Sequence, residues 1–139
     1  MDVGNDDIPY GFGPLEIRIA GDPSKLGLLR TVISAHAAAA GFGPDAVADL
    51  KLAIDEACTA LILRMDPQGA PLSVIVNRLA DEFAIEVCTA GALTDDPLEG
   101  FTGHVLNILA DDVKAYNVAA EGQPPVAGVS MTFRPNTVG

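Results

Sequence analysis

The 139 residues are 49% hydrophobic and 19% charged, which suits one domain with its own core and excludes intrinsic disorder. Lys and Arg number 8 against 19 Asp and Glu, and the net charge of -11 argues against nucleic acid, whose phosphates need a cationic footprint. No apolar run reaches the roughly 18 residues that span a bilayer. The acidic opening Met1-Asp2-Val3-Gly4-Asn5-Asp6-Asp7 also lacks the basic start of a secretory signal. The expectation is a cytoplasmic chain that meets neither membrane nor nucleic acid, with an acidity that suits a basic protein partner.

Residues 1–13 are acidic and broken by Gly11 and Gly13, a flexible arm ahead of a single domain over 14–139. Leu15, Ile17 and Ile19 alternate with Glu16 and Arg18, the period of a half-buried strand. Gly21-Asp22-Pro23 stops it, with Asp22 placed as N-cap and Pro23 at the first helical position. The helix that follows reaches about residue 40, buries a seam of Leu26, Leu29, Ile33 and Ala37, and ends on a left-handed Gly41. Pro44 opens a second helix that ends before Pro67, its seam formed by Val47, Leu50, Ile54, Ala57 and Leu61.

An apolar strand over 72–79 and the turn Asp81-Glu82 come next. Phe83, Ile85 and Val87 then alternate with Glu82, Ala84 and Glu86, which makes a hairpin. Residues 89–100 read as a loop with Gly, Pro and three acids. A third helix covers 101–110, with Val105, Leu106 and Leu109 inward. Strands over 113–118 and 129–133 close the chain, joined by Glu121-Gly122-Gln123-Pro124-Pro125. This order predicts an α+β two-layer sandwich, with three helices on one face of a five-stranded, mostly antiparallel sheet. The other face is left for solvent or a partner.

Chemistry-bearing residues are few. Cys58 and Cys88 stand far apart with no CxxC pair and read as buried reduced thiols. With only His36 and His104 beside them, no zinc set is expected, and no GxSxG marks a serine nucleophile. Glu56, in the middle of the second helix, shares a face with Leu52, Ala60 and Leu63. That pattern fits a general base in a half-dry pocket, its pKa raised by burial. Composition alone favours the plainer reading, an acid on the rim of a two-sided helix. Asp55 falls nearer Lys51, a reversed ion pair of little worth, and takes no role.

The stretch Ala53-Ile54-Asp55-Glu56-Ala57-Cys58-Thr59 resembles the motif around the catalytic Glu of bacterial anti-sigma factors. These are serine-kinase-like switch proteins, of the RsbW and sporulation type, on the histidine-kinase ATPase (Bergerat) fold. Leu29-Arg30-Thr31-Val32 stands at the family spacing from Glu56, and residues 103–113 resemble the segment after the ATP lid. The element order is also the family's, so the resemblance covers nearly the whole chain. The wording around Glu56 and from Gly100 to Val113 is most similar to actinobacterial stress-response members.

The resemblance implies that Glu56 activates the serine hydroxyl of an antagonist protein, and that Arg30 contacts both sigma factor and antagonist. The guanidinium of Arg30, outside the helix seam, is expected to be free for a partner carboxylate. By its residue type alone Arg30 is an ordinary surface cation. The family's Mg²⁺-holding Asn falls on Ala60, which has no ligand atom, and its adenine-binding Asp on Thr89. Gly91 survives beside the adenine position, and the Gly-rich phosphate loop is reduced to Gly100 and Gly103. The lid between Gly91 and Gly100 has no Lys or Arg, and its Asp95, Asp96 and Glu99 would repel a nucleotide. Phosphoryl transfer is mostly positioning and charge neutralisation. The leading expectation is therefore an anti-sigma factor with a degenerate ATP/Mg²⁺ site. It sequesters a stress-type sigma factor, is released by an anti-anti-sigma (STAS-domain) protein, and forms a homodimer. The alternative is an active serine protein kinase that phosphorylates that antagonist. A third reading keeps the fold alone, as a ligand-binding domain unrelated to transcription.

Overall fold

The computed structural model describes residues 15–79, 82–118, 121–123 and 125–134. The arm expected over 1–13 lies outside them. In chain order the strands are β1 (Leu15–Gly21), β2 (Met65–Asp66), β3 (Gly69–Leu79), β4 (Glu82–Thr89), β5 (Ala92–Leu93), β6 (Asp112–Val118) and β7 (Val126–Phe133). The helices are α1 (Leu26–Ala39), α2 (Pro44–Arg64) and α3 (Phe101–Leu109).

Alternation builds the sheet. Five strands lie in the order β1-β3-β4-β7-β6, and every neighbouring pair is antiparallel. Register places Ile17 beside Val74, Val74 beside Val87, and Val87 beside Val129, so one face is apolar from edge to edge. The three helices cover that face. The predicted seam of α1, Leu26, Leu29, Ile33 and Ala37, is buried entire; on α2 Leu50, Ile54, Ala57 and Leu61 are buried while Val47 is half-buried, and on α3 Leu106 is buried while Val105 and Leu109 are half-buried. Phe83 is fully buried, its ring 4.4 Å from that of Phe42 and 5.7 Å from His36, so His36 is a packing residue. The fold is the α+β sandwich that the element order predicts.

Differences from the sequence reading lie at element ends. The Asp22 carboxylate accepts from the Ser24 N–H at 3.0 Å and caps a short 3-10 turn over Pro23–Lys25, so α1 proper begins at Leu26. Within the predicted 89–100 loop, β5 pairs with β2, Met65 opposite Leu93 and Asp66 opposite Ala92. Strands of two residues leave no periodicity for a sequence to show. Cys58 is buried as expected, but Cys88 is only half-buried. The alternation that turns Val87 and Thr89 inward sends Cys88 to the sheet face without helices. There Tyr116 crosses β7 over Gly128 and donates its hydroxyl to Glu86. A Cβ at Gly128 would collide with the Val87 carbonyl oxygen and stand 2.8 Å from the Tyr116 hydroxyl and 2.9 Å from the Cys88 Cβ, so only glycine fits here.

Candidate functional site

Burial of Leu50, Ala53, Ile54, Ala57 and Leu61 fixes the rotation of α2. That rotation turns the neighbours Asp55 and Glu56, about 100° apart, towards different helices. Glu56 is half-buried, and its Oε2 accepts a hydrogen bond from Thr102 Oγ1 of α3 at 2.8 Å. Asp55 reaches α1, where its Oδ1 meets Arg30 Nη1 at 2.5 Å. Two expectations need correction here. Asp55 has a role as the partner of Arg30, and the Arg30 guanidinium is not free. Twenty-five residues separate the two, so no local spacing rule finds the pair.

The half-dry pocket around Glu56 is also not formed as expected. Leu52 and Leu63, one turn and two turns away, are 58% and 67% exposed. Ala60 alone of the three is buried. What shields Glu56 is α3, through Thr102, a residue the helix-face pattern of α2 had no means to include.

Ala60 offers no side-chain ligand, and its carbonyl accepts from Arg64 Nη1 at 3.1 Å. Thr89, at the inward end of β4, is 2% exposed, and its hydroxyl has no hydrogen-bond partner. Buried polar atoms are seldom left unpaired, and this one falls at the position resembling the family's adenine contact. Gly91 is buried beside it, and a Cβ there would approach the Asp66 carbonyl to 3.2 Å. Gly100 caps α3 at φ 79°, a left-handed conformation that favours glycine. Gly103 meets a different demand, since a Cβ there would collide with the Leu98 carbonyl. The backbone of the preceding loop thus lies directly against the start of α3.

Of that loop's three acids, one meets a cation from outside the loop. Arg64, from the end of α2, brings Nε within 2.7 Å of Asp95 Oδ1. The Nε–H is not aimed at the carboxylate, so the contact is an ion pair without a directed hydrogen bond. Asp96 accepts from the Leu98 N–H at 2.9 Å and so caps its own turn. Arg64 is the ion-pairing residue at this loop that sequence reasoning missed. Its signal was a lone cation in the last turn of α2, where the helix dipole favours positive charge.

Strand order, helix placement and a helix-borne Glu next to glycine turns define an ATPase-like sandwich of the kind found in histidine kinases. Residues 19–124 match the family described as the histidine kinase-like ATPase domain. Proteins described as anti-sigma-F factor RsbW, from two strains of Mycobacterium tuberculosis, are each 40% identical over 142 residues, covering 95% of this chain and 83% of the relative. The chain belongs to the RsbW-type anti-sigma factors of that ATPase family. Among the described residues, no helix is long and apolar enough to cross a membrane.

Proposed function

We propose that this anti-sigma factor sequesters a stress-type sigma factor in the cytoplasm, is released by a STAS-domain antagonist, and carries a degenerate nucleotide site. The observation that carries the degenerate site is Ala60. It is buried, it has no ligand atom, and the chain's own Arg64 uses its carbonyl. These residues do not fit Mg²⁺·ATP in the way the family resemblance requires, and the buried Thr89 hydroxyl stays without a hydrogen-bond partner. Partner binding then rests on Arg30. One of its five N–H donors is engaged by Asp55, and the fork is held part-exposed at the α1–α2 surface. A pre-oriented guanidinium loses less freedom when it meets a partner carboxylate. The sheet face left open by the helices serves a homodimer in this reading.

Purified protein titrated with its sigma factor and with the antagonist tests the proposal. Competitive binding is expected, and Arg30→Ala should weaken one partner roughly tenfold or more. Simultaneous binding of both partners, or a low-micromolar ATP dissociation constant by calorimetry, would overturn it.

One observation favours the active-kinase reading. The Glu56 carboxylate already accepts a hydrogen bond from an alcohol, as a base for a serine hydroxyl must. Transfer of the γ-phosphate to the antagonist, abolished by Glu56→Gln, would establish that reading in place of the first.

A further inference from the structure

We propose that Arg64 is a resident cation that holds the 92–100 loop closed on α2 and α3 in the protein without nucleotide. Three sets of contacts converge on this segment. Backbone pairing joins β5 to β2, extended by the Thr94 N–H donating to the Arg64 carbonyl at 2.8 Å. The Arg64 guanidinium spans the last turn of α2 and the loop, with Nη1 on the Ala60 carbonyl at 3.1 Å and Nε at 2.7 Å from Asp95. Beyond Asp95 the chain makes its own turn, Leu98 N–H to the Asp96 carboxylate and Glu99 N–H to the Asp96 carbonyl, and lays the Leu98 carbonyl against Gly103.

The charge pattern gives this arrangement its sense. Asp95, Asp96 and Glu99 lie within five residues and repel one another, so the loop needs a cation to stay down. The loop itself has none. Arg64 is 23% exposed at its side chain, and Asp95 is 65% exposed. The cation is therefore the shielded partner, fixed to the helix by Ala60, and the acid is the exposed one. A guanidinium anchored at one end and paired at the other works as a latch.

The consequence rests on the degenerate-site reading proposed above. If no metal–nucleotide pair organises this loop, the latch does, and partner affinity becomes independent of nucleotide.

Amide hydrogen exchange on the full chain tests the latch directly. In the protein alone, the amides of Thr94, Leu98 and Glu99 should be protected. Arg64→Gln and Asp95→Asn should each speed their exchange roughly two- to fivefold, as expected for losing a part-exposed ion pair from a local opening. Core amides of β3 and β4 should keep their rates, and Arg64→Lys should retain part of the protection. Unchanged loop exchange in both neutral variants would overturn the latch, as would equal acceleration of the core amides in Asp95→Asn. Should Arg64→Gln not fold, Asp95→Asn alone decides. Adding Mg²⁺·ATP to the wild type separates the two readings. No further slowing of loop exchange is expected, and clear slowing would sink nucleotide independence while leaving the result from the variants to judge the latch.

Discussion

Glu56 and Thr102 meet across two helices through one hydrogen bond, and the worth of that bond can be measured. Thr102→Val removes the hydroxyl and keeps the shape. Because half-buried Glu56 can regain water, the expected loss is about 1 kcal/mol in urea unfolding. Glu56→Gln keeps an acceptor and should cost less. Cys58 makes a second prediction. Burial first, and the Asp55 charge second, push its thiol well above the ordinary value of 9.0. In the unfolded chain that thiol ionises near 9.0, whereas in the fold it keeps its proton. Stability is thus fully present below that pH and falls as pH rises past it, by up to about 1.4 kcal/mol per pH unit. Tyr116 acts in the same sense, its hydroxyl raised by burial and by the bond to Glu86. Unfolding midpoints should hold up to about pH 9 and fall above it, with a shallower slope in Cys58→Ala.

Among the elements, α2 is the one on which both the core and the site depend. Its buried side carries Leu50, Ile54, Ala57 and Leu61, and its flanks carry Asp55 towards α1 and Glu56 towards α3. Ile54 is fully buried, so Ile54→Ala should cost about 2–5 kcal/mol through lost transfer energy and the cavity left behind. Its melting temperature, followed by circular dichroism, should drop well below that of Thr102→Val. Helix α3 depends on its glycines instead. Gly103→Ala would press a methyl into the Leu98 carbonyl and force the loop away from the helix. The helix seams were legible in the sequence because their apolar spacing matches the helical period. The exposure of Leu52 and Leu63 was not legible, because what covers a flank is decided by neighbouring elements.

For the molecule as a whole, the net charge of -11 sets how partners arrive. Encounter with a basic partner should be steered, and its association rate should fall about tenfold or more between low and high salt in stopped-flow mixing. Dissociation should change much less, because contacts within the interface are shielded from the ions. A rate insensitive to salt would mean that the acidity serves solubility alone.

The alternation of Leu15, Ile17 and Ile19, the α2 seam and the glycine and proline stops determined the element order and the sandwich, because these signals are local and repeat with the period of each element. The family resemblance, and no local period, set Ala60 and Thr89 against the family's Mg²⁺-holding Asn and adenine-binding Asp. Only the tertiary structure decided what each functional side chain touches. Arg30 met Asp55, Glu56 met Thr102, and Arg64 met Asp95, over separations of 25, 46 and 31 residues. No periodicity spans such distances. These pairs form because core packing fixes the rotation and height of three helices, and the flanking charges and hydroxyls then take the partners that this packing brings within reach.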